Sequence, residues 1–196
     1  IPDNRTKNLE KIKLKKVFKN IKNNIYLSRI FVVLTVNNLA NVFPMVLFAF
    51  FITYVLGGDD SNRQVTLFYY FLFALVGVPF WTIISKNYGK KEAWFFSLFL
   101  SAAFFILVFF LDSGNFLFFI IISCMTGFCL GADLIIPLSI QADLTDIHRS
   151  KFSEDISGVI FSITTFINKF AFAIVSIFVF GIMGLLEFEA DREIND

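Results

Sequence analysis

An all-α membrane protein with five transmembrane helices is what this 196-residue chain predicts, and three observations predict it. Hydrophobic residues make up 57% of the chain and charged residues only 17%, with a mean hydropathy of +0.72. A soluble domain carries about 25% charged residues, so the apolar excess has to face something other than water. The apolar residues fall in long runs near the ~20 residues that span a bilayer's hydrocarbon. Short polar breaks separate those runs, and unsatisfied backbone in lipid is too costly for open sheet, so each run reads as a helix antiparallel to its neighbours.

In chain order, residues 1–29 form a basic segment with nine Lys and Arg against Asp3 and Glu10. The apolar run that follows is longer than a signal-peptide core and has no small-residue cleavage site. The segment therefore reads as a juxtamembrane cytoplasmic arm rather than a nucleic-acid binder. The helical domain covers residues 30–186, with spans at about 30–56, 65–84, 93–111, 116–142 and 157–186, and residues 187–196 form an acidic extracytoplasmic end. Lys86, Lys90 and Lys91 in the second break, and Arg149 and Lys151 in the fourth, fall on the side of the basic arm. Arg63 and Arg192 stand on the other side among acidic residues, so the positive-inside rule makes the N-terminus cytoplasmic in a multi-pass protein. The 29 Phe read as lipid-facing and packing bulk.

No enzyme chemistry emerges. Cys124 and Cys129, five apart in one apolar span, read as small buried hydrophobes. His148 stands in the charged stretch Ala142 to Lys151, read as a solvated loop, with no cluster of metal-ligand spacing around it. There is no glycine-rich phosphate loop and no nucleophile triad, so neither metal nor cofactor is expected. A membrane enzyme built on Asp143, Asp146 and His148 is the weakest of the readings.

Polar residues inside the spans carry the functional signal. Asn37 and Asn41 lie one turn apart on the first span, near Asn38 and Pro44. Interhelical hydrogen bonding and the lining of a solute path both account for them. Asp133 lies about nine residues above the cytoplasmic end of its span and Lys169 about twelve above the start of its own, depths of roughly 13 and 18 Å. Charges so placed are expensive and point to a polar pathway on which the two meet, whereas a buried ion pair that only fixes helices adds little stability. Asp143 and Asp146, one turn apart at the membrane boundary, read either as a solvated turn or as a cytoplasmic gate closing on bases such as Lys90 and Lys91.

Three stretches, in order, resemble the glycoside-pentoside-hexuronide cation symporters, the branch of the major facilitator superfamily that includes melibiose permease. Asn37-Asn-Leu-Ala-Asn-Val-Phe-Pro44 is similar to the opening of that family's seventh helix. The segment from Pro79 to Lys91 resembles the basic turn between its eighth and ninth helices, and Gly131 to Asp146, with Gly158 and Lys169, its tenth helix, loop and eleventh helix. The resemblance implies helices 7 to 11 of a twelve-helix transporter, so the chain, which begins with Ile and ends after an odd number of spans, is expected to be a fragment lacking its N-terminal half and last helix. It also implies cation-coupled symport of a sugar or glycoside by alternating access, with sodium or a proton as coupling cation in the full-length protein. Lys169, Asp133, Asn37 and Asn41 then belong to the substrate or ion pathway, and Asp143, Asp146, Lys90 and Lys91 to the gate. Asp155, Ile156 and Ser157 depart from the family's basic residues and glutamate before the glycine. The implied location is a bacterial inner membrane, and the implied partners are the bilayer, a small-molecule substrate and the missing helices. A lysolipid substrate within the same family is the alternative, and a non-transporting membrane scaffold is the rival of a different class.

Overall fold

The computed structural model describes residues 24–152 and 156–185, and every regular element among them is helical. Helix α1 (Ile25–Phe50) continues through a π-helical turn, Phe51–Val55. Helix α2 is Asp60–Tyr88, α3 is Lys90–Ile106 with a closing 3-10 turn at Leu107–Phe110, α4 is Phe116–Phe152 and α5 is Ser157–Leu185. All five are long and apolar enough to cross a membrane. This is the predicted class. The basic arm through residue 23, Asp155 and the acidic end 187–196 lie outside the described residues.

The helix ends depart from the hydropathy boundaries, because a cap rather than the lipid edge decides where a helix starts. Asn24 Oδ1 accepts the amides of Tyr26 at 3.1 Å and Leu27 at 3.4 Å, so α1 begins inside the basic segment. Asp59 Oδ1 accepts the Asn62 amide at 2.9 Å and starts α2 one turn before the apolar run. The basic break at Ser85 to Glu92 is not a loop. It contracts to Gly89 alone, whose φ of 101° is open to glycine and strained for other residues. Its amide donates to Ser85 and its carbonyl accepts from Ala93, joining α2 to α3 directly.

The charged stretch Ala142 to Lys151 is likewise helix, not loop. Nothing in Asp-Leu-Thr-Asp-Ile-His-Arg breaks a helix, and backbone bonding to the fourth residue needs no lipid. At 37 residues α4 is about 55 Å long, against about 30 Å of hydrocarbon, so its final turns stand outside the bilayer.

Helix α4 is the axis of the bundle. Helices α2 and α3 pack on it, while α1 packs mainly on α5. At the α2–α4 crossing the backbones themselves touch. A Cβ on Gly77 would lie 2.2 Å from the Phe128 carbonyl oxygen, one on Gly127 2.3 Å from the Tyr70 carbonyl oxygen, and one on Gly131 2.7 Å from the Gly77 carbonyl carbon. Only hydrogen fits there, which is the small-residue logic of helix association without a hydrophobic drive. Trp81 Nε1 donates to the Phe128 carbonyl at 2.9 Å and locks the crossing. Many of the Phe lie on the surface, Phe95, Phe99 and Phe109 among them, as expected of lipid-facing bulk.

Candidate functional site

Three helices converge on Asp133, which lies half-buried near the middle of α4. The amide nitrogens of Asn37 and Asn41 on α1 both donate to Oδ2, at 3.0 and 2.7 Å. Trp94 Nε1 on α3 donates to Oδ1 at 2.5 Å. The spacing of four between the asparagines puts both amides on one face of α1, as the sequence indicated. Trp94 was not anticipated, since in an apolar run a Trp reads as packing, although its N–H needs a partner once buried. It is 5% exposed, and the carboxylate is that partner.

A cavity of about 20 Å³, room for one water-sized particle, adjoins the carboxylate. Asp133, Asn41, Tyr70, Ser97, Ser101 and Thr126 contribute its polar lining. Ser97 Oγ donates to the Trp94 carbonyl at 2.8 Å, and Thr126 Oγ1 to the Ile122 carbonyl at 3.0 Å. Both hydroxyls therefore spend their proton on their own helix.

Lys169 does not join this cluster, and no Lys or Arg pairs with Asp133 among the described residues. The packed stripe of α5 runs through Ile160, Thr164, Ala171, Val175 and Val179. Lys169 stands two residues before Ala171, about 200° round the helix, and is exposed. Ser162, Thr165, Phe166 and Phe172 share its side of the helix. The two in-span charges thus occupy different surfaces of the bundle.

At the end of the bundle where α2 passes into α3, the structure brings together half of the expected gate. Lys90 Nζ, in the first turn of α3, reaches Asp143 Oδ2 on the extension of α4 at 2.5 Å. Asp146 and Lys91 are exposed and make no ion pair among the described residues. His148, expected to be solvated, is 1% exposed, because α4 stays helical and turns this position inward with Gln141 and Thr145. Gln141 itself was missed. It accepts at 2.6 Å from Thr164 Oγ1 of α5 and donates to the Pro137 carbonyl at 3.2 Å, making a buried polar link between α4 and α5. Cys124 and Cys129 are buried free thiols.

Comparison with known proteins identifies the family of the chain. Residues 1–195 match the model of a family described as MFS/sugar transport protein. Sodium-dependent lysophosphatidylcholine symporter 1 of Xenopus tropicalis is 30% identical over 126 residues, 63% of this chain and 24% of that protein. Its Gallus gallus counterpart is 30% identical over 125 residues, and symporter 1-A of Danio rerio 29% over 126, each across 63% of this chain and 23% of the relative. The matched stretch is thus about a quarter of each relative's length. No solved structure matches the chain.

Proposed function

Because the chain belongs to the MFS/sugar transport protein family, we propose that it forms part of a secondary active transporter that couples entry of a lysophospholipid-type amphiphile to a sodium gradient. One observation carries the substrate class, the exposed Lys169 on the Phe-rich outer side of α5. An ammonium about twelve residues into a span is expensive against lipid and belongs beside a polar path. As a compact point charge it suits a phosphate. Phe166 and Phe172, one turn either side, with Phe170 stacked on Phe166 at 5.5 Å, offer an apolar surface for an acyl chain. The similar animal proteins are named as sodium-dependent lysophosphatidylcholine symporters, in keeping with both the lipid and the sodium.

A sugar or glycoside is the second reading, favoured by the family's description and by Ser162, Thr165 and Ser176 on the same side of α5. The similar proteins come from frog, chicken and zebrafish, so a bacterial membrane is no part of the proposal; a cytoplasmic N-terminus is.

The mechanism we infer is alternating access, in which this helical unit rocks against the rest of the transporter around a midplane site. Lys169 binds substrate on the exposed surface of α5, and the Asp133, Asn37 and Asn41 cluster holds α1 to α4 at the same level. The Lys90–Asp143 pair, 35% and 56% exposed at its side chains, contributes below about 1 kcal/mol after solvent screening. A contact that weak exchanges partners easily, which suits a gate at the cytoplasmic end.

The test is uptake by the complete protein in vesicles, with radiolabelled lysophosphatidylcholine and a panel of glycosides, under imposed sodium or proton gradients. Sodium-driven accumulation of the lysolipid is expected. Accumulation of glycosides alone would move the substrate to the second reading, and none at all from folded protein would return the chain to a scaffold.

A further inference from the structure

We propose that the outward side of α1 around Arg29 is a seat for an anionic diacyl phospholipid, with the headgroup phosphate on the guanidinium and an acyl chain along Ile25, Val32 and Val33. The seat is separate from the transport reading and does not depend on it.

Helix α1 has one covered side and one bare side. Leu27 is buried in a cluster with Ile156 and Ile160, and Ile30 and Leu34 in another with Trp81 and Trp94. At about 100° per residue, Ile25, Arg29, Val32 and Val36 fall on the opposite side of the helix. Val32 and Val36 are 64% and 62% exposed. A shallow groove of about 370 Å³ lies there, lined among the described residues by Ile25, Ser28, Arg29, Val32 and Val33. Apart from Ser28 and Arg29 that lining is hydrocarbon, and no carboxylate stands on it.

Depth orients whatever occupies the groove. Arg29 is the last charged residue before the apolar run opens at Ile30. Tyr26 and Tyr88, both exposed at this end, are amphipathic rings of the kind that settle at headgroup level. Arg29 therefore stands at the lipid phosphates, with Val32, Val33 and Val36 about 5 to 10 Å deeper at 1.5 Å per residue. A molecule seated here has its charge at the membrane surface and its apolar part below, which is the form of a phospholipid.

Charge then selects among occupants. Arg29 makes no ion pair among the described residues. It is the last of nine Lys and Arg in residues 1–29, against Asp3 and Glu10. Lys86, Lys91 and Arg149 are exposed at the same end of the bundle. Asp143 is taken up by Lys90 at 2.5 Å, which leaves Glu92 and Asp146 as the other described carboxylates there. This excess of positive charge favours a headgroup of net negative charge over a zwitterionic one. It also repels the basic segment before α1, which is therefore a poor cover for the stripe. The planar guanidinium can hold two phosphate oxygens at once.

The experiment counts phospholipids bound to the complete protein by native mass spectrometry, with phosphatidylserine or phosphatidylcholine of identical acyl chains added. Phosphatidylserine is expected to bind the more tightly. Arg29→Gln is expected to weaken phosphatidylserine by about fivefold, the factor that ~1 kcal/mol per basic residue at an anionic surface gives, and Arg29→Lys to recover part of the loss. Val33→Trp fills the groove but keeps the charge, and is expected to weaken both lipids by roughly fourfold, about the contribution of one buried CH2. Both positions are exposed, so neither change disturbs the packed side of α1. Equal binding of the two lipids by the wild type overturns the seat. Unchanged phosphatidylserine binding in both Arg29→Gln and Val33→Trp also overturns it, and is the result expected if another helix of the complete protein covers the stripe. Lys169→Ala is expected to keep phosphatidylserine binding whatever happens to uptake; its loss in that variant moves the lipid to α5 and overturns the seat on α1.

Discussion

The contacts that α4 makes with its neighbours are built on two opposite principles. Against α2 it presents Gly127 and Gly131, and the backbones meet at distances that admit no Cβ. Against α1 and α5 it presents polar side chains, Asp133 to Asn37 and Asn41, and Gln141 to Thr164. The first contact has one geometry, because hard-packed backbones cannot slide without clashing. The second is made of hydrogen bonds at the ends of side chains that rotate. Under the proposed alternating access, the glycine crossing would be the rigid body and the polar seam the place where movement is available. The Lys90–Asp143 ion pair lies on the α4–α3 side of this division, not at the glycine crossing.

Breaking the rigid side is expected to have the largest effect on stability. Gly77→Val places a branched side chain where a Cβ alone would sit 2.2 Å from the Phe128 oxygen. It is expected to cost about 3 kcal/mol, in the upper range for overpacking, and to appear as loss of the monodisperse species in detergent. If Gly77→Val behaves as wild type, the crossing is not rigid and the contrast fails. Trp94→Phe comes next. It keeps the ring but removes the N–H that Asp133 Oδ1 accepts, at a cost of about 2 kcal/mol for a bond to a charged group. Thermal unfolding measures both, and the comparison requires the glycine variant to be the more damaging.

Which parts of this division are legible in the amino-acid sequence follows from what each part depends on. The five spans are visible as apolar runs, and Asp133, Asn37 and Asn41 as polar residues within them, since lipid makes such residues conspicuous. The i, i+4 spacing puts the two asparagines on one face of α1, but that this face rather than Lys169 meets Asp133 depends on how the helices pack. Trp94 was hidden because its one polar atom is indistinguishable from bulk in a Phe-rich helix. The extension of α4 through Asp143, Asp146 and His148 was hidden because hydropathy reports the lipid boundary and a helix does not end there. The opposed placement of Lys169 and Asp133 depends on how α5 is rotated about its axis. Thr164 and Ala171 in the packed stripe settle that rotation, but only once α4 and α1 are in place.

Smaller effects belong to the seam. Thr164→Val removes the donor to Gln141 Oε1 and leaves a buried acceptor unpaired, at about 1 kcal/mol. It loosens α5 from α4 without touching the glycines, so transport is expected to change more than the unfolding midpoint. Lys90→Ala, which removes a half-exposed ion pair, is expected to shift stability by less than about 1 kcal/mol, and less again at high salt.

Lys169→Ala carries the comparison to its limit. The residue makes no ion pair among the described residues and lies away from the packed stripe of α5, so no contact within this bundle depends on it. Its removal is expected to leave the melting temperature unchanged and to abolish solute accumulation. That pattern separates a residue that serves the substrate from residues that hold the helices. If Lys169→Ala instead lowers stability and leaves transport intact, the outer surface of α5 is a packing surface for helices, and the substrate path has to be sought along the Asp133 seam.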